Sequence, residues 1–576
     1  MQHYPVTMLP TIRRRGSPRL TFRGYVMGLM NSSKTGTLSS RELSRRTFVK
    51  AMGAIAAAAP VALNLAGCGS QRASEAGSSG TSGSDSGTLT FGQSSEPASL
   101  DPALIQDGAS SNVTNQIYET LVRFDEDSSD VQPWLAEKYE ISEDGLTYTF
   151  HLREGVKFHD GTDFNAEAVK RSIDRQLEPN RTEDMPYASF NFGSEDSGTG
   201  VASIECPDDY TVVFTLCASS TPFIKNLAMQ LSSPIVSPSA LDEYDNDLTE
   251  NPVGTGPFTF RSWDHDQSIV LDANEDYWND DAAPKVDTIV FRFISETASR
   301  VTALGNGECD VIEGVDMSTA DQVKSAGKEI LTTEGMNINY VVLRTDQGPM
   351  MDVEARRAVR QAIDVDALVD ALYGDYATVA NSFMPVWMAP YDKDVEQLAY
   401  DPDAAAATFK ELGITELTML TYSSQRNYNP AGGQELAESI QGYLSDAGVK
   451  LTINSYDWTT YLDRNTVEDW DLCATGWIGD NGDPDNFMNL FSDTDPSINM
   501  SRFANDDYTA LIQKGTQTPD GDERDDIYLQ CEKMIADQVP AVVICHTQTL
   551  DGYDSSVKGL VRPMVGTFYL SEVSKG

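Results

Sequence analysis

Apolar and polar positions alternate with period two in several short runs of the first half of the chain. Thr88-Leu89-Thr90-Phe91-Gly92 reads as a strand at the edge of a sheet. The runs 134–141 and 146–152 flank Ser142-Glu143-Asp144-Gly145 and have the composition of a β-hairpin. The runs 204–206 and 210–216, around Pro207-Asp208-Asp209, form a second. Helical spacing of apolar residues predicts helices over 111–122, 165–176 and 297–304. A glycine-rich turn, 251–258, leads into a strand at 258–260. No Gly-Lys-Ser/Thr follows it, so it is no phosphate cradle.

The strand predicted over Met336–Leu343 carries the chain into a second large lobe. An amphipathic helix over 353–363 follows, with Arg356, Arg357 and Arg360 read as its solvated face. From residue 416 the pattern becomes β-α-β-α-β: strands over 416–422, 449–456 and 470–475, with helices over 434–447 and 458–466. Such alternation implies parallel strands covered by helices. In these sheets ligands bind beyond the carboxyl ends of the strands. Arg426 follows the first strand and Asp480 the third, which places both on one rim.

Near the N-terminus, Ser44-Arg45-Arg46-Thr47-Phe48-Val49-Lys50 precedes a modest apolar run, 51–66, that ends in Leu65-Ala66-Gly67-Cys68. The run is too short and alanine-rich for a comfortable membrane span. Together these features resemble a Tat signal joined to a lipoprotein cleavage box, with Cys68 as the lipidated residue. Residues 1–43 make a long leader, and Met27 and Met30 are alternative starts. The Ser/Gly/Ala-rich stretch 69–87 reads as a tether. No later stretch is long and apolar enough to span a membrane.

Charge narrows the partners. Asp+Glu number 88 against 42 Lys+Arg, a formal net charge of −46. Such a field repels nucleic acid and anionic lipid headgroups. Of 5 histidines, His159 beside Asp160 has no third ligand nearby and reads as a loop residue. The cysteines after Cys68 form no C-x-x-C pair, so no zinc site is expected. Their even number permits disulfides without fixing a pairing. Gly-x-Ser-x-Gly, His-Glu-x-x-His and Walker motifs are missing, so no catalysis, metal or cofactor is expected.

The stretch with most chemistry is Gly476-Trp477-Ile478-Gly479-Asp480-Asn481-Gly482-Asp483-Pro484-Asp485-Asn486-Phe487, read as a tight loop behind a buried strand. A zwitterionic peptide needs a carboxylate for its ammonium and a fork-shaped cation for its carboxylate, which arginine supplies. This loop, the segment Gln425-Arg426-Asn427-Tyr428-Asn429-Pro430, the block 135–169, the pair Tyr277-Trp278 and the unit 297–312 together resemble the extracellular solute-binding proteins of family 5. These serve peptide and nickel ABC importers, and the two loops resemble the dipeptide-receptor branch.

The resemblance spans roughly residues 88–576 and implies an α/β fold of periplasmic-binding-protein-like type II, cluster C. Two α/β lobes would be joined by a hinge, with an extra domain. The boundaries expected are 1–67 signal, 68–87 lipidated cysteine and tether, and lobe I over 88–120, 220–335 and 541–576. The extra domain would cover 121–219 and lobe III 336–540. Asp480 would meet a peptide's amino terminus and Arg426 its carboxyl terminus, flanked by Tyr428. Gly476 and Trp477 belong to the same motif, and Trp477 is either core packing or a stacking surface. Gln106 and Asp107 occupy a further contact loop, where the family's residues differ. The implied protein is a monomer outside the cytoplasm, held to the membrane by its lipid alone and docking on an ABC permease and ATPase. Haem, a nickel chelate, glutathione or an oligopeptide is the alternative cargo.

Overall fold

The structure, a computed structural model, describes residues 87–576 apart from 195–197, 392, 394 and 396. The expected signal and Cys68 lie outside the described residues.

Lobe I is built on a seven-stranded sheet in the order 329–333, 549–553, 311–312, 88–93, 288–293, 268–273, 258–264. Thr88–Gln93 pairs in parallel with Thr288–Phe293 on one side and Val311–Ile312 on the other. It is therefore central, not an edge. Its alternation reports that Leu89 and Phe91 face a dry core. Which strands flank it is decided by partners some 200 residues later in the chain, and periodicity carries no information on that.

The extra domain holds a five-stranded antiparallel sheet in the order 136–141, 147–152, 211–216, 199–208, 193–194. Both expected hairpins are present. Tyr148, Phe150 and Phe214 build its core with Val169 and Ile173 of the helix Ala166–Asp174. Phe223, Leu227, Met229 and Ile235 join the same core, beyond the boundary expected at 219. Buried Glu119 ties this domain to lobe I. It accepts from Trp134 Nε1 (2.7 Å), Tyr277 Oη (2.7 Å), Trp278 Nε1 (2.9 Å) and Thr255 Oγ1 (2.7 Å).

Lobe III contains a six-stranded sheet in the order 377–379, 541–547, 337–343, 472–478, 416–422, 450–456. Glu416–Tyr422 runs parallel to Lys450–Tyr456 and Leu472–Ile478, with helices Gly433–Asp446 and Trp458–Val467 between them. The expected alternation is present. Two details differ. Gly476, Trp477 and Ile478 extend the third strand, paired with Asn339, Ile338 and Asn337, so the loop opens at Gly479. Arg356 is buried, not solvated, and donates to the carbonyls of Gln538, Met350 and Met351. Helical periodicity cannot distinguish a solvated arginine from one whose guanidinium ties down loose carbonyls.

The chain passes between the lobes after Thr333 and again near Gln548. Ala541–Thr547 belongs to the sheet of lobe III, so the return lies beyond the expected 541. The Asn337 side chain binds the two passages together. Its Nδ2 donates to the Thr547 carbonyl and its Oδ1 accepts from the Thr547 amide, each at 2.9 Å.

Candidate functional site

The loop after Leu472–Ile478 is shaped by what it must pack against. At Gly476 an added Cβ would lie 2.1 Å from the Tyr428 ring, so glycine lets that buried aromatic sit flat on the strand. At Gly482 φ is +63°, and a Cβ would meet Ser129 and Val565 within 3 Å. Asp483 then caps the short helix Pro484–Met488, accepting from the Asp485 amide. Its buried carboxylate also receives two bonds from Arg524, at 2.7 and 2.9 Å. Burial would raise its pKa, but Arg524 and Lys225 outweigh that and hold it below the usual range. Asp483 is thus a structural anchor.

Asp480 is different. Its Oδ1 accepts from Tyr187 Oη at 2.8 Å and its Oδ2 from Asn486 Nδ2 at 3.1 Å. Asn486 Oδ1 in turn accepts from the Asp480 amide and from Trp477 Nε1. Among the described residues no cationic side chain pairs with Asp480. Burial raises its pKa, partly offset by the bonds from Tyr187 and Asn486. A half-buried carboxylate fixed by neutral donors and lacking a counter-ion is poised to receive a cation.

Asp480 lines a cavity of 270 Å³ to which lobe I contributes Gln106 and Asp107, the extra domain Tyr187 and Met229, and lobe III Asn427. Two of the expected site residues, Asp480 and Gln106, therefore meet in one cavity. Four others stand outside its lining. Trp477 packs against the lobe III core and orients Asn486. Gly476 and Tyr428 form the packed layer beneath, and burial pushes the Tyr428 hydroxyl up to about 12. The Arg426 guanidinium lies 3.8 Å from the centroid of the Trp458 ring, while its neighbour Asn427 reaches the cavity. Tyr187 carried no sequence signal, since the residue it serves lies 293 positions away. Asn486 sat in the motif without a visible role.

Lobes joined by two passages, with a cavity whose polar groups come from all three parts of the molecule, define a hinged ligand-binding protein. Comparison with known proteins makes this specific. Residues 130–499 match the model of the middle region of bacterial extracellular solute-binding proteins, family 5. The dipeptide-binding protein of Escherichia coli K12 is 33% identical over 514 residues, 84% of this chain and 94% of that protein. Heme-binding protein A of Haemophilus influenzae is 32% identical over 509 residues, 84% of this chain and 91% of that protein. Among solved structures, an ABC-transporter periplasmic binding protein from Helicobacter pylori in complex with the peptide STSA aligns with a TM-score of 0.69 at 30% identity. That alignment covers 85% of this chain and 98% of the other. The chain belongs to the family 5 bacterial extracellular solute-binding proteins, the ligand-capturing components of ABC importers. No helix among the described residues is long and apolar enough to cross a membrane.

Proposed function

We propose that this protein captures short peptides, dipeptides first among them, by closure of its lobes and delivers them to a membrane permease, tethered through a lipid on Cys68. The observation that carries this reading is Asp480, a carboxylate without a counter-ion facing a 270 Å³ cavity. That volume sits near the lower end of ligand pockets, about 300 Å³, which suits a dipeptide. Asp480 takes the peptide's ammonium. Arg426 takes its carboxylate, with a guanidinium seated 3.8 Å from the centroid of the Trp458 ring whose fork of donors suits a bidentate contact. The names of the Escherichia coli and Helicobacter pylori relatives point the same way.

The test is calorimetric titration of the chain from Gly69 onward with a dipeptide, its N-acetylated form and its C-amidated form. The reading expects tight binding of the free dipeptide and large losses on blocking either end. Indifference to blocked ends would overturn it and turn attention to haem, the ligand in the name of the Haemophilus relative.

A further inference from the structure

Among the described residues, Arg562 is the one cationic side chain that lines the cavity. It lies in the returning segment of lobe I, in a different stretch of the chain from both motif loops. Its Nη1 donates to both oxygens of Asp551, at 3.1 and 2.9 Å. Its guanidinium carbon sits 4.8 Å from the Phe568 ring centroid. Asp551 is fully buried and also accepts from the Gly314 amide at 3.1 Å. One edge of the fork is therefore pinned and one face seated on a ring. The side chain keeps 21% exposure, and among the described residues its Nε and Nη2 donate to nothing further.

Two other interior arginines, Arg300 and Arg524, are wired differently. Arg300 uses Nε, Nη1 and Nη2 on the carbonyls of Glu313, Ile294, Ser295 and Gly314 and on Thr297. Arg524 spends its three nitrogens on Gly515, Asp483, Asp520 and Tyr528. Those are ties within the protein. Arg562 is a pre-oriented cation with an open edge.

The remaining ionised groups of the cavity are committed. Asp107 accepts from the amide and the hydroxyl of Ser110, each at 2.8 Å, and Glu334 accepts from Gln548 Nε2 at 3.1 Å. If the peptide's ammonium is met at Asp480 and its carboxylate at Arg426, a cation is left over. We infer that Arg562 is an anion subsite that reads an acidic side chain of the ligand, so that peptides carrying aspartate or glutamate are preferred over their amide counterparts. This rests on the peptide reading above. The net charge of −46 does not oppose it at contact range, because bulk repulsion is screened within about 8 Å in physiological salt.

The experiment compares Ala-Glu with Ala-Gln, and Glu-Ala with Gln-Ala, on the mature protein by calorimetry. Each pair differs by one charge at almost constant shape. In at least one pair the glutamate peptide is expected to bind roughly tenfold more tightly, the scale of a hydrogen bond to a charged group. In Arg562→Gln that ratio falls to near one, while the dissociation constant of the glutamine peptide moves less than about twofold. Because Arg562→Gln leaves Asp551 buried without its cation, the double variant Arg562→Gln/Asp551→Asn provides the same readout without an unpaired charge. Ratios near one in the wild type, a preference that survives in both variants, or an equal loss for acidic and neutral peptides would each overturn the subsite. Failure of every dipeptide to bind would instead overturn the peptide reading itself.

Discussion

Tyr187 Oη donates to Asp480 Oδ1 at 2.8 Å and so joins the extra domain directly to the motif loop of lobe III. The bond stabilises the ionised form of Asp480 against the burial that raises its pKa. Tyr187→Phe is expected to weaken binding of free dipeptides by roughly three- to tenfold at pH 7. It should also move the acid limb of the affinity profile to higher pH. Titrations between pH 5 and 8 check both, and an unchanged limb would show that the hydroxyl does not tune this carboxylate.

Asp480→Asn keeps the shape of the side chain and removes its charge. Binding of a free amino terminus should fall by about a hundredfold or more, the scale of losing one partner of a desolvated charge pair. The N-acetylated peptide, already weak, should be almost unaffected. In the wild type, affinity should fall as the pH drops into the raised range of Asp480, because the protonated carboxyl cannot pair with an ammonium.

Asp485 is pushed up to about 6 by burial and by neighbouring Asp483. The native state thus holds a proton that the unfolded state releases between pH 6 and the ordinary value of 3.8. The contribution of this group to stability therefore declines as pH rises through that window. Asp485→Asn keeps the oxygen that accepts from Thr516 and Tyr528. It should stabilise the fold at pH 8 by on the order of 1–2 kcal/mol and have little effect at pH 4. Thermal melts at the two pH values measure the difference.

Asp483 and Arg524 form a buried pair at 2.7 Å. Arg524→Met should cost about 3–5 kcal/mol, because a buried carboxylate is left with Lys225 at 3.8 Å as its nearest cation. Chemical denaturation gives the value. A loss below about 1 kcal/mol would mean that water or Lys225 compensates.

What could be read from the sequence was what is local. The run 416–478 carries its own periodicity, and its parallel topology follows from short connections. That is why the sequence alone places Arg426 and Asp480 on one rim. Near the site, legibility fails where one residue's role depends on a distant one. Tyr187 gains its role from Asp480, and Arg562 from Asp551 and Phe568 together with a cavity made by other segments. Thr88–Gln93 looked like an edge because its pattern reveals which face is dry and nothing about who lies alongside. Arg356 looked solvated because a guanidinium that satisfies backbone carbonyls occupies the same helical phase as one in water.

Lys575 Nζ donates to the Thr88 carbonyl at 2.8 Å and approaches Asp310 at 3.1 Å, so nearly the first and the last described residues touch. The strand Thr549–Tyr553 and the cavity wall around Arg562 arrive in the same closing stretch. During synthesis, then, lobe I must wait. Its earliest strand emerges long before the residues that complete its sheet, whereas every strand of lobe III lies within 337–547. The lobe bearing Asp480 can assemble on a growing chain, while the half that supplies Arg562 closes only after residues 549–575 have been added.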